Sequence, residues 1–481
     1  QGGFQEVEQM NLFKDMVCYQ EEVRDPSRMA EVLNRVIEKA FRGSAPAQIN
    51  VPRDYWTQVV DVELPPIVRF ERQGGGKDAI ERAARLLSEA KFPVILSGAG
   101  VVIGDAIEDC KKIAEKLDAP VACGYQHNDS FPGKHPLAIG PLGYNGSKAA
   151  MEIISKADVV LALGTRLNPF STLPGYGIDY WPKEAKIIQV DFNSDRIGLA
   201  KKISVGICGD AKLVAQQILS QLSLTAGDSG REDRKALIHQ TKSAWLQTLT
   251  SLDHEEDDEG TTWNKDSRER DPDRMSPRMA WRAIQAGLPD DAIISSDIGN
   301  NCAIGNAYPT FEQGRKYLAP GLFGPCGYGF PSVLGAKIGC PNTPVVGFSG
   351  DGAFGISMSE MTSCSREEWP NITMVIFRNY QWGAEKRNTT LWYDNNFIGT
   401  ELDPKLSYAK IAEACGFKGV KVTTKSELTE ALKASCVDQM NGITTFIEVI
   451  LNQELGEPFR RDAMKAPVEV AGINSQDTVV Q

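Results

Sequence analysis

Twice along this 481-residue chain, short apolar runs alternate with segments of helical length, over about 78–222 and again over about 275–455. An apolar run of roughly four to eight residues reads as a strand buried on both faces, and a helix between two such runs lets the next strand start in the same direction. The pattern therefore predicts an α/β fold of parallel sheets flanked by helices. In the first block the helix Asp78–Ala90 leads to the strand Pro93–Leu96 and the helix Ala106–Leu117 to the strand Ala119–Cys123, with further strands at Val159–Leu163 and Ile187–Val190. In the second, the helix Pro277–Ala286 leads to the strand Ala292–Ser295. Strands Pro344–Phe348 and Thr373–Phe377 follow, then a helix Leu428–Cys436 and a strand Thr444–Val449. Ahead of both blocks, Met29, Val32, Leu33, Val36, Ile37 and Ala40 recur at helical spacing after Asp25-Pro26, and Gln48–Pro52 reads as a short strand closed by proline.

The expected organisation is the end of one α/β domain over 1–65, a central Rossmann-like domain over 66–222, a polar linker over 223–274, a third domain over 275–455 and a tail over 456–481. The central domain is entered through 66–77, which carries proline and three consecutive glycines, and the acidic run Asp253–Glu259 in the linker lacks calcium-loop spacing and reads as solvated.

A formal net charge of −11 disfavours nucleic acid or an anionic membrane as the main partner, and no apolar run approaches the roughly 20 residues that cross a bilayer. Small molecules are the expected partners. Ten cysteines without a C-x-x-C pair fit a reducing cytoplasm better than a disulfide framework. The histidines at 127, 135, 239 and 254 show no metal spacing; His127 and His135 flank Asn128-Asp129-Ser130, where a hydrogen-bonding or interface role is expected. Gln1-Gly2-Gly3-Phe4 offers neither an initiator Met nor the features of a signal peptide, so the chain reads as a fragment.

The sharpest local signal lies where Val345–Phe348 runs into Ser349-Gly350-Asp351-Gly352-Ala353. An Asp between two glycines at the carboxyl end of a parallel strand lets backbone approach a diphosphate while one carboxylate meets a hard cation such as magnesium. A helix is expected over Ser357–Ser363, and the next strand ends in Arg378-Asn379-Tyr380-Gln381, which puts Asn379 at the neighbouring strand end, 28 residues after Asp351.

This G-D-G with its strand-terminal Asn resembles the cofactor signature of thiamine-diphosphate enzymes of the acetolactate-synthase-like superfamily. The resemblance implies thiamine diphosphate and Mg2+ as cofactors, with the metal on Asp351, Asn379 and the main chain of Gln381, and with Gly350, Gly352 and Ala353 beside the diphosphate. Arg378 departs from the pattern, which usually has a first Asn there. Asp297-Ile298-Gly299-Asn300-Asn301 resembles the diphosphate-facing turn of the same domain and nominates Gly299, Asn300 and Asn301. Gly324–Pro331 resembles the glycine-rich loop under the thiazolium ring, so Gly324 and Cys326 join the cofactor set, with Cys326 where a bulkier apolar residue is usual. Phe4-Gln5-Glu6 and Ile49–Asp54 resemble the last third of the pyrimidine-binding domain, which extends the resemblance from residue 1 to about 455. It implies a homodimer or homotetramer and an activating Glu upstream of Phe4, so no catalytic residue is named within the chain, and Glu6 and Glu8 are read as structural.

Gly98, Gly100 and Gly104 only weakly match a dinucleotide motif, and the central domain is expected to be cofactor-free. Arg378, Lys386 and Arg387 gather positive charge at the cofactor's edge in an acidic protein, which suits a sulfonate or a phosphate; for Lys386 and Arg387 a solvated helix face is the alternative. The run from Arg378 to Tyr393 resembles the acyltransferase branch of the family that, in taurine and sulfonate breakdown, turns sulfoacetaldehyde and phosphate into acetyl phosphate and sulfite. The competing readings are an acetolactate-synthase-like 2-oxoacid carboligase and a catalytically silent cofactor-binding module.

Overall fold

The computed structural model describes residues 3–66, 71–223, 230–253, 271, 273–321 and 323–454. The chain divides into two compact units, Gln1–Arg72 and Gln73–Gln481.

In the first unit, β1 (Tyr19–Glu22) pairs in parallel with β2 (Ala47–Asn50), and the helix Met29–Gly43 crosses between them. The helix begins at Met29, the first residue of the apolar spacing, after Asp25 has capped a 3-10 turn, Pro26–Arg28, by accepting the Ser27 N–H at 2.9 Å. It buries Val32 and Val36 against Val23, while Leu33 and Ile37 remain exposed. Arg35 ties the helix to β1 through Glu21 at 2.8 Å and reaches Glu31 at 2.9 Å.

The second unit contains two six-stranded parallel sheets. The first is built from β3 (Pro93–Ser97), β4 (Val121–Cys123), β5 (Ala138–Pro141), β6 (Val159–Leu163), β7 (Lys186–Asp191) and β8 (Val205–Cys208), in the order β5-β4-β3-β6-β7-β8. Every residue of β3 and β6 is buried, as expected of central strands covered on both faces. The order reverses between β3 and β6, which in such sheets opens a crevice at the strand ends. Here that point is closed by backbone: a Cβ on Gly100 would lie 2.7 Å from Gly164 Cα, and one on Gly98 would lie 2.6 Å from the Gly164 carbonyl oxygen. These glycines let two turns pack directly together.

The second sheet comprises β9 (Ile293–Ser296), β10 (Tyr317–Leu318), β11 (Val345–Gly350), β12 (Thr373–Arg378), β13 (Lys418–Val422) and β14 (Thr445–Ile450), in the order β10-β9-β11-β12-β14-β13. Its reversal falls between β9 and β11. The helix expected at Ser357–Ser363 is two helices, Asp351–Ser357 and Glu360–Cys364. The first springs directly from β11, and the glycines at 350, 352 and 355 hide its helical pattern.

The stretch 223–274, expected as a linker, contains the longest helix among the described residues, Arg231–Asp253. It docks through a narrow stripe of Ile238, Trp245 and Leu249, and through buried Arg234, which donates to the carbonyls of Lys91, Leu117 and Asp118 at 2.7–3.0 Å. So few apolar positions among polar ones leave little helical signal. The acidic residues 254–259 and the tail 456–481 lie outside the described residues.

The loop after β4 joins the two sheets. Asn128 donates to the carbonyls of Asn306 and Pro309, both at 2.9 Å, and Asp129 accepts the N–H groups of Lys316, just before edge strand β10, and of Tyr317, its first residue, at 2.9 and 3.3 Å. His135 accepts the Leu137 N–H at 3.2 Å and faces Glu115 at 3.3 Å. Among the described residues no helix is long and apolar enough to cross a membrane.

Candidate active site

The reversal between β9 and β11 opens a cleft at the carboxyl ends of the strands, where open α/β sheets hold ligands. Four segments line it: the turn after β9 (Ile298, Gly299, Asn300, Asn301, Cys302), Gly324 and Cys326, the turn after β11 (Gly350–Ala353), and the turn after β12 (Asn379 and Gln381 through Glu385). The structure thus brings together Gly299, Asn300, Asn301, Gly324, Cys326, Gly350, Asp351, Gly352, Ala353, Asn379 and Gln381.

Local chemistry shapes each wall. Gly299 has φ +114°, which turns β9 sharply into the helix Asn300–Ile304, and Trp281 fixes that helix by donating its indole N–H to the Asn301 carbonyl at 2.7 Å. Asp297 is fully buried and joins two walls. It accepts from the N–H groups of Ile298, Gly327 and Gly329 at 2.9, 3.1 and 2.9 Å and from Ser349 Oγ at 3.0 Å. Burial raises its carboxyl pKa, and those four donors oppose the rise. A Cβ on Gly352 would come within 2.9 Å of the Trp382 indole, so the glycine is what lets that ring lie on the turn.

Asp351 is the buried carboxylate of the cleft. Its Oδ1 accepts the Gly352 N–H at 3.0 Å, and its Oδ2 accepts from Arg378 at 3.1 Å and from the Tyr380 N–H at 2.7 Å. Burial outweighs the Arg378 guanidinium and pushes the carboxyl up to about 6. Tyr380 adopts φ +60°, uncommon for an aromatic residue, and this conformation aims its N–H at Asp351. The turn is clamped by Trp382 N–H to the Thr400 carbonyl (2.7 Å) and Leu402 N–H to the Tyr380 carbonyl (2.9 Å), a bridge that does not use the Gln381 carbonyl.

Three buried amide oxygens on this cleft, Asn301 Oδ1, Asn379 Oδ1 and Gln381 Oε1, have no hydrogen-bond partner among the described residues. An uncompensated buried acceptor costs about 1–3 kcal/mol, so three in one cleft call for a ligand that supplies donors or positive charge. Oxygen donors around a single carboxylate suit a hard divalent cation that takes further oxygens from a diphosphate. The described residues contain no cluster of three or more His, Cys, Asp or Glu, which leaves this mixed carboxylate and amide set as the candidate.

The three cations expected to bind an anion behave differently. Arg378 is turned inward, fully buried behind Asp351, and does not line the cleft; this corrects its expected contact with substrate. An arginine closing the fully buried strand β12 has to pair with internal acceptors. Lys386 is also buried, pairs with Glu401 at 2.5 Å and lies over Phe397, outside the cleft lining. Arg387 donates to the hydroxyl of Tyr144, in the loop after β5 of the first sheet, and that hydroxyl donates to cleft residue Asn300 at 3.4 Å. It is therefore one hydrogen-bonded step from the cleft.

Ile298, Cys302, Trp382, Gly383, Ala384 and Glu385 line the cleft but were not singled out from the sequence. A signal for Glu385 existed: it is the acid inside the cation-rich run, on the first turn of the helix Gly383–Trp392, and its charge adds to the burial that raises the Cys326 thiol pKa.

Residues 80–218 match the thiamine pyrophosphate enzyme central domain, and residues 297–449 match the C-terminal TPP binding domain of the same enzymes. A probable sulfoacetaldehyde acetyltransferase of Rhizobium meliloti is 77% identical over 481 residues, covering 100% of this chain and 81% of the relative. The sulfoacetaldehyde acetyltransferase of Roseovarius nubinhibens is 73% identical over 99% of this chain and 79% of its own length. A probable acetolactate synthase large subunit of Methanocaldococcus jannaschii is 29% identical over 89% of this chain and 71% of its own length.

Proposed function

The chain belongs to the thiamine pyrophosphate enzymes, and on that basis we propose that it converts sulfoacetaldehyde and phosphate to acetyl phosphate and sulfite. The observation that carries this reading is 77% and 73% identity to sulfoacetaldehyde acetyltransferases over 100% and 99% of this chain.

Asp351, Asn379 and Gln381 would hold a magnesium ion, the last through its main-chain carbonyl. The buried, unpartnered Asn379 Oδ1 supports that donor set, as does the Gln381 carbonyl, which the bridge to Glu401 does not use. Gly299, Asn300, Asn301, Gly350, Gly352 and Ala353 would face the diphosphate, where small residues and the helix starting at Asp351 offer backbone N–H groups to an anion. Gly324 and Cys326 would form the wall toward the thiazolium, and burial, then the charges of Asp297 and Glu385, push the Cys326 thiol pKa up. Held there, thiamine diphosphate would supply a nucleophilic carbon for chemistry on an aldehyde. Trp382 and Ile298 would put apolar surface on that face, and Glu385, which lines the cleft and is exposed, would be able to exchange a proton with solvent. Arg387, held through Tyr144 and Asn300, brings positive charge toward the sulfonate or the phosphate.

Incubating the full-length protein with thiamine diphosphate, Mg2+, phosphate and sulfoacetaldehyde should release sulfite and acetyl phosphate in equal amounts. A protein that binds the cofactor yet releases no sulfite from sulfoacetaldehyde overturns the reading.

A further inference from the structure

Arg378 ends an apolar strand whose six residues are all buried, and none of its side chain is exposed. A guanidinium cannot be hydrated there, so its charge must be met inside the protein. Nη1 meets Asp351 Oδ2 at 3.1 Å, and Nη2 donates to the carbonyls of Asp403 and Leu406 at 2.5 and 3.2 Å. The faces of Tyr380 and Tyr408 lie 4.4 and 5.3 Å from the guanidinium carbon. Nε faces Glu448 Oε1 at 3.8 Å, close enough for an ion pair and too long for a hydrogen bond.

Glu448 is itself 2% exposed. It lies on β14 opposite Ile376 of β12, and Arg378, two residues further along β12, projects to the same side of the sheet. Its other oxygen, Oε2, accepts from Ser407 Oγ at 2.7 Å and from the Ala409 N–H at 3.1 Å. The neighbouring Tyr408 hydroxyl donates to the Asp351 carbonyl at 2.8 Å. The N-terminal end of the helix Tyr408–Ala414 therefore touches both acidic residues of the trio, Glu448 at its carboxylate and Asp351 at its main chain.

Charge decides what this arrangement does. Arg378 alone behind Asp351 would cancel the negative charge that the proposed cation site offers. With Glu448 included, the trio carries one net negative charge, as Asp351 would beside neutral neighbours. We propose that Arg378 and Glu448 act as a charge-balanced pair behind the cation site: Glu448 offsets the positive charge that Arg378, paired with Asp351, would set against the metal. The proposal rests on the reading of Asp351 as a metal ligand.

The test is Mn2+ binding to the chelator-treated full-length protein at saturating thiamine diphosphate, with free Mn2+ read by electron paramagnetic resonance and folding checked by circular dichroism. Glu448→Gln should bind Mn2+ about tenfold or more weakly than wild type, because an uncompensated cation now faces the site. Glu448→Asp, which keeps the charge, and the double variant Arg378→Met/Glu448→Gln, which removes both, should each return to within about threefold of wild type. A purely structural role predicts that the double variant binds no better than Glu448→Gln. That result overturns the proposal, as does wild-type affinity in Glu448→Gln or equal weakness in Glu448→Asp. Should Glu448→Gln fail to fold, the double variant against wild type decides: equal binding supports the pair, weaker binding overturns it. If wild type itself takes up no Mn2+, the reading of Asp351 as a ligand falls, and the pair falls with it.

Discussion

Arg387 donates to the hydroxyl of Tyr144, so a cation from the helix after β12 is held by a tyrosine that follows β5 in the other sheet. The guanidinium carbon also lies 5.4 Å from the centre of the Tyr144 ring, and Tyr144 packs edge-on to Tyr125 and against Phe170. The anion-facing charge thus depends on aromatic packing outside the cofactor's own sheet. Losing a hydrogen bond to a charged group costs about 1.5–3 kcal/mol, so Tyr144→Phe should raise KM for phosphate or sulfoacetaldehyde roughly tenfold. Arg387→Ala should raise it at least as much, without altering thiamine diphosphate affinity. Steady-state kinetics that leave both constants unchanged in Arg387→Ala would remove that residue from the anion site.

Gly352→Ala places a methyl group against the Trp382 indole, whose backbone is pinned to Thr400. Overpacking of this kind costs about 1–3 kcal/mol and here acts on a cleft wall. Cofactor affinity, followed by tryptophan fluorescence quenching, should fall roughly tenfold, and Trp382→Leu in the same chain should recover much of the loss.

Asp297→Asn keeps the shape of the side chain but replaces one acceptor oxygen with a donor that faces N–H groups or Ser349 Oγ. Thermal unfolding should show a loss of about 2–4 kcal/mol as the turn after β9 separates from the loop at Gly327–Gly329. Unchanged stability would mean that the four donors find other acceptors.

Glu21 and Glu31 are held down to about 2, Glu21 first by its hydrogen bonds from Arg35 and Tyr19, Glu31 by those from Arg28 and Arg35. Their folded pKa values lie below the ordinary 4.5, so the unfolded state binds more protons between those values. The stabilisation they provide is complete above about pH 4.5 and is lost as pH falls toward 2. Amide exchange in Tyr19–Glu22, corrected for intrinsic rates, should accelerate across that window, and Glu21→Gln should flatten the dependence.

The buried strands were legible in the sequence because both faces of each are covered: Val159–Leu163 is five consecutive apolar residues and folds as one strand over those same positions. The cleft was legible because the fold puts its chemistry at strand ends, where Gly299, Asp351 and Asn379 each follow an apolar run. The direction in which Arg378 and Lys386 point was not, since sequence records a charge and not its partner; Glu448 lies 70 residues away from Arg378, on a neighbouring strand. The helix Arg231–Asp253 escaped notice for a related reason, its docking depending on carbonyls of Lys91, Leu117 and Asp118 that no local pattern announces.

Asp129 bears on a different hazard. An edge strand with idle amide groups is a template on which a second molecule can add a strand and begin to aggregate. At β10 the Tyr317 amide, and the Lys316 amide just before it, already belong to the Asp129 carboxylate, and the carbonyls of an incoming strand would meet negative charge there. The loop that joins the two sheets therefore also guards one border of the cofactor sheet against self-association.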